Sequence, residues 1–140
     1  MLHLTAFDAE DLSAISAQMQ DAVLRFGDSK FMAKQRVFAL MANRFAWDSL
    51  PEKQRRRSGL RFNYVLSARR MGPKAIVQDT ILSLLAITFV AAPSKGDPAG
   101  VITLEFSGGH RMALEVECVD VQLDDLGPAW GSEHEPHHDV

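Results

Sequence analysis

Three consecutive arginines, Arg55-Arg56-Arg57, stand just ahead of Arg61, Arg69, Arg70 and Lys74. A guanidinium is a planar fork of donors, so two of its N–H groups can engage one phosphate or carboxylate together. Read as a single alternating strand, residues 60–69 place Arg61, Asn63, Ser67 and Arg69 on one polar face, which the arginine-rich loop enters directly. Such a face suits an RNA backbone, another anion or an acidic protein surface. The competing reading is a solvated strand face whose arginines are neutralised by acids elsewhere in the fold.

The charge distribution keeps both readings in play. Residues 25–74 hold 13 of the 15 Lys and Arg side chains and 3 of the 18 Asp and Glu, a balance of +10. Residues 1–24 carry -4 and residues 75–140 carry -9, leaving a formal net charge of -3. Antiparallel strands can bring these segments together, so internal neutralisation leads. The positive charge expected to stay uncovered is at Arg55–Arg57. The partner expected there is a protein or a second copy of the chain. Nucleic acid ranks behind it, because Phe62 and Tyr64 fall on the apolar side of their strand and leave no stacking platform for bases. Arg70 and Trp47 complete the candidate contact residues. Trp47 ends an apolar run beside the loop, where an exposed indole would mark a contact surface and a packed one would not.

Catalytic arrangements are weaker. A reactive thiolate needs nearby positive charge or a helix N-terminus. Cys118 lies instead among Glu115, Glu117 and Asp120, so its pairing with His110 reads as structural. Ser107, His110 and the nearby acids can be drawn as a triad, yet Gly108-Gly109 is turn chemistry and no Gly-x-Ser-x-Gly elbow is present. No phosphate-cradling or dinucleotide glycine pattern occurs either. His134, His137 and His138 are competent metal ligands, but a terminal tail is costly to organise, so only adventitious capture is expected of them. The expectation is no cofactor, no resident metal, no catalytic residue and therefore no enzyme.

The elements that must position these residues are mostly strands. Leu2, Leu4 and Ala6 alternate as a short strand, and Asp8 caps a helix carrying Leu12, Ile15 and Met19 on one face. Strand pieces follow at residues 23–26 and 31–33 around Gly27-Asp28. Residues 37–45 are apolar on both faces, which predicts a central strand. Asp48–Ser58 has loop composition and is expected to be mobile. Residues 60–69 read as a half-buried strand, and 81–90 as another. Residues 101–106 and 112–116 flank a hairpin turn at Ser107–His110. Val119, Leu123 and Leu126 at i, i+4 and i+7 favour a short C-terminal helix, against a rival strand through Val119, Val121 and Leu123. The predicted fold class is mainly β (α+β): an antiparallel meander of six or seven strands, forming a bent sheet or partly closed barrel. In element order it is pleckstrin-homology-like, with an N-terminal helix and a last helix as cap.

At 140 residues the chain fits one domain, assigned to 1–132 with a flexible tail at 133–140. One cysteine excludes an internal disulfide and a multi-cysteine zinc site. The start lacks the features of a secretory signal, and the longest apolar run, around 81–92, is too short to span a bilayer. A cytoplasmic protein without membrane insertion is expected.

Six stretches carry a family resemblance: 43–47 (Asn-Arg-Phe-Ala-Trp), 56–60 (Arg-Arg-Ser-Gly-Leu), 97–100 (Asp-Pro-Ala-Gly), 104–109 (Leu-Glu-Phe-Ser-Gly-Gly), 114–118 (Leu-Glu-Val-Glu-Cys) and 125–130 (Asp-Leu-Gly-Pro-Ala-Trp). Through them the chain resembles the bacterial family called domain of unknown function 2948, over nearly its whole length. The resemblance implies a compact bacterial cytosolic protein and supplies no activity, cofactor or catalytic residue.

Overall fold

The computed structural model describes residues 2–45, 54–127 and 130–131, with the side chains of residues 54, 130 and 131 left aside. In chain order the elements are β1 (His3–Ala6), α1 (Ala9–Met19), β2 (Ala22–Arg25), β3 (Ser29–Met32), β4 (Val37–Phe45), β5 (Gln54–Phe62), β6 (Val65–Met71), β7 (Ile81–Ala91), β8 (Gly100–Phe106), β9 (Arg111–Val116), β10 (Val121–Asp125) and β11 (Trp130–Gly131). These eleven described strands form one antiparallel sheet in the order β1-β10-β5-β4-β2-β7-β8-β9-β6. Off this path, β3 pairs with β4 and β11 with β5. Among the described residues, no helix is long and apolar enough to cross a membrane.

The helix begins where its chemistry requires. Asp8 accepts the Asp11 amide at 2.8 Å, satisfying one free N–H, and Glu10 and Asp11 sit at the positive helix end. Leu12, Ile15 and Met19 point inward onto β7 and β1, each contributing about 2 kcal/mol of apolar burial. Ser16 Oγ accepts the Ile87 amide at 2.9 Å, beside the irregularity at 84–86 that interrupts β7–β8 pairing. Replacing Asp8 by alanine should lower unfolding stability by about 1 kcal/mol, read as a shifted urea midpoint at unchanged slope.

Inside the sheet, Phe38 and Phe62 face each other across β4–β5 with ring centroids 6.1 Å apart. Leu40, Leu60, Leu104, Ile102 and Leu114 extend this core along neighbouring strands. As expected, β4 is central, lying between β5 and β2, and the Ser107–Gly109 turn joins β8 to β9.

Four expectations need correction. The path is not a meander, since β10 inserts between β1 and β5 and β6 returns to pair with β9. Among the described strands the sheet ends at β1 and β6 and is not closed as a barrel. The C-terminal helix that would have capped a pleckstrin-homology-like barrel is a strand, β10. Val119, Val121, Leu123 and Asp125 are all buried at two-residue spacing while Leu126 is half exposed, so the rival period prevails. Finally, the expected loop contributes its last residues, from Gln54, to β5, while 48–53 lie outside the described residues. The expected tail at 133–140 also lies outside them.

Candidate anion-binding face

β5 sorts its arginines by parity. Its register puts Arg56, Ser58, Leu60 and Phe62 beside the inward residues of β4, and Arg55, Arg57 and Arg61 on the opposite, outward face. Same-face neighbours on a strand lie about 6.6–6.8 Å apart, so Arg57 and Arg61 stand about 13 Å from each other. Pairing with β4 on one side and β10 on the other makes this a rigid mount. Arg55 Nη1 donates to the Asn43 carbonyl at 3.1 Å, and its guanidinium lies 6.0 Å from the Phe45 ring centroid. Arg61 Nε donates to Asn63 Oδ1 at 2.9 Å. Neither Arg57 nor Arg61 meets a carboxylate among the described residues.

The expected single strand over 60–69 is broken at Asn63-Tyr64. Arg69 and Arg70 consequently belong to β6, at the far end of the sheet, and do not join Arg61. Arg69 is exposed, with Met71 Sδ 3.9 Å from Nη2, and Arg70 Nη1 donates to the Pro73 carbonyl at 2.8 Å. Trp47, His134, His137 and His138 lie outside the described residues. Neutralisation across segments does occur: Arg36 pairs with Glu117 at 2.7 Å and Arg44 with Asp125 at 2.8 Å. It leaves Arg57, Arg61 and Arg69 unmatched among the described carboxylates.

The Arg44–Asp125 pair was not singled out in the sequence, and it organises the site from below. Arg44 Nε and Nη2 donate to the two Asp125 oxygens at 2.8 Å each, with both side chains fully enclosed. Ser58 Oγ donates to Oδ1 at 2.8 Å and the Leu2 amide to Oδ2 at 2.7 Å. Arg56 approaches from β5, its Nε 3.8 Å from Oδ2. Burial is the largest single influence on the Asp125 carboxyl and pushes it up. The Arg44, Leu2 and Ser58 hydrogen bonds and the Arg44 charge together outweigh it and pull the carboxyl down to about 2. The signal available in the sequence was slight: a charged residue closing an apolar strand.

Beyond Arg61 the outward face runs into an open groove of about 490 Å³, lined by Phe7, Arg36, Arg61, Tyr64, Glu117 and Gln122 among others. Tyr64 has φ of 57°, where bulky side chains are rare, and this breaks the strand's alternation. The ring is thereby half exposed and not on the apolar side, whereas Phe62 is buried in the core as expected.

The catalytic arrangements considered in the sequence do not assemble. Ser107 Oγ accepts the Ser83 amide at 2.9 Å, while buried His110 has Nδ1 3.4 Å from Arg70 Nη1. The enclosed cavity beside His110 measures about 10 Å³, room for about one water. Burial, then Asp120 and Glu117, push the Cys118 thiol up and away from the reactive thiolate. Among the described residues, no group of three His, Cys, Asp or Glu could hold a metal ion.

The profile of the family described as "Protein of unknown function (DUF2948)" matches residues 2–138. The chain belongs to the DUF2948 family. No curated protein and no solved structure matches it. Three of the stretches that carry the DUF2948 resemblance meet at the buried pair: 43–47 supplies Arg44, 56–60 supplies Ser58 and 125–130 supplies Asp125. Two others, 104–109 and 114–118, run through the β8–β9 hairpin and the segment beyond it. In this DUF2948 chain three of the six recognisable stretches therefore support the mount beneath the arginines.

Proposed function

We propose that this DUF2948 chain is a binding domain and not an enzyme, and that it takes an anionic partner on the outward face of β5. The supporting observation is that Arg57 and Arg61 stand on one face of a doubly paired strand without a carboxylate partner among the described residues. Rigid guanidinium forks lose little freedom on binding, which favours them over lysines for carboxylate or phosphate recognition. An acidic protein surface, a second copy of the chain and a polyanion all satisfy this chemistry, and a bacterial cytoplasm is the proposed setting.

Inorganic polyphosphate is a suitable probe, because it offers charge without shape. Its affinity should fall steeply with salt, since each neutralised phosphate releases condensed counterions. Changing Arg57 and Arg61 to alanine together should lower the slope of log K against log salt by about 2. A slope the same as that of the parent protein removes the proposal.

A further inference from the structure

Phe7, Tyr64 and Arg61 line one groove, and neither the core nor the ion-pair network uses the two aromatic rings. Three backbone hydrogen bonds fix the unusual tyrosine conformation. The Asn63 amide donates to Asp120 O at 2.9 Å, the Glu117 amide to Tyr64 O at 3.0 Å, and the Val65 amide to Arg36 O at 2.8 Å. Arg36 itself has φ of 57°, so both sides of this crossing hold the left-handed conformation. Strain of this kind persists where the surroundings over-determine it, and it clusters at sites that use it. Its consequence here is a tyrosine 48 % exposed at a position where alternation calls for burial. Phe7 shows the same disposition. It precedes the helix cap, where an apolar residue commonly packs back onto the fourth helical residue, here Leu12. It is instead 64 % exposed.

We infer that this groove seats a base of single-stranded nucleic acid, stacked on Tyr64 and Phe7, with its phosphate on Arg61. The inference rests on the anionic-partner reading and specifies its partner. An acidic peptide would use the arginines and leave both rings idle, whereas a chain of bases and phosphates uses the two together. The groove's own charges point the same way. Glu117 is held by Arg36 at 2.7 Å and Asp120 accepts from Asn63 Nδ2 at 3.1 Å, so the lining is balanced. The carboxylate oxygens can accept the amino groups of a base edge, which an acidic peptide does not offer.

The test compares three probes by fluorescence anisotropy at one salt concentration: a short labelled single-stranded RNA, inorganic polyphosphate and polyglutamate. RNA should bind most tightly. Tyr64→Asn, which keeps a residue tolerant of positive φ, and Phe7→Ser should each weaken RNA about tenfold and leave polyphosphate unchanged. Circular dichroism establishes that each variant is folded, and Tyr64→Gly replaces Tyr64→Asn should the latter fail to fold. RNA affinity unchanged in these variants, with the salt slope for polyphosphate still lowered on replacing Arg57 and Arg61, overturns the base site and leaves the anionic face standing. Polyglutamate binding tighter than RNA overturns it in favour of an acidic protein. No binding of any probe by the parent overturns both.

Discussion

Replacing Asp125 by alanine should cost this fold about 3–5 kcal/mol, because the Arg44 guanidinium is left enclosed with its counter-charge gone. Domains of ordinary stability have about 5–15 kcal/mol in total, so the variant should lose a large share of its stability. Arg44→Met should be similarly damaging, since it strands the Asp125 carboxylate against Ser58 and the Leu2 amide. The double replacement Arg44→Met with Asp125→Leu should recover most of the loss, as apolar groups of similar volume often substitute for a buried pair. Urea unfolding of the parent, Arg44→Met, Asp125→Leu and the double variant closes the cycle, and a double variant as unstable as the sum of those singles would show that the pair does not act as a unit. Acid gives a second measurement. The folded carboxyl titrates at about 2 and its ordinary value is 3.8, so its contribution is fully present above 3.8 and is lost as pH falls through 2. The lowered value corresponds to about 2 kcal/mol, which Asp125 variants should no longer lose between pH 4 and pH 2.

This cycle also shows why part of the fold was legible in the sequence and part was not. The helix start at Asp8, the central β4 and the β8–β9 hairpin follow from local patterns: a cap, an apolar run, and glycines between alternating segments. β10 does not. Val119 and Leu123 fit a helical and an extended period alike, and what separates the two is Asp125, whose partner Arg44 is 81 positions away. β5 begins in a polar stretch with loop composition and is a strand because β4 and β10 pair with it on both sides. Tyr64 is the clearest case. Asn63 beside it is the residue type that commonly takes positive φ, yet Tyr64 takes it, fixed by contacts to residues 36, 117 and 120. The candidate site was legible only in its residue types: the sequence places Arg55–Arg57 on a loop, and their sharing of a face with Arg61 follows only from β5 beginning at Gln54. Separating Arg69 and turning Tyr64 outward both depended on that one backbone position.

A substitution at Gly72 should show how the open edge of the sheet is held. Gly72 has φ of 119°, and a Cβ added there would stand 2.4 Å from the Gly109 carbonyl oxygen. Neither the backbone conformation nor the contact can relax by a rotamer change, because the obstructing atom belongs to the hairpin backbone. Gly72→Ala should therefore lose about 3 kcal/mol, combining strain at positive φ with forced separation of two chain segments. The loss should be uneven. Among the described strands β6 pairs only with β9, and its end is tied down where Gly72 meets the hairpin and Arg70 reaches Pro73 O and His110. Pushing Gly72 away should free β6 first, so its amides should exchange with solvent well ahead of those in β4, β5 and β10. Binding at Arg57 and Arg61 should survive under conditions where the variant remains folded, because both stand on β5, six strands from β6 along the path. Uniform loss of protection across the whole sheet would mean that β6 and β5 open together, and that the edge is no separate unit.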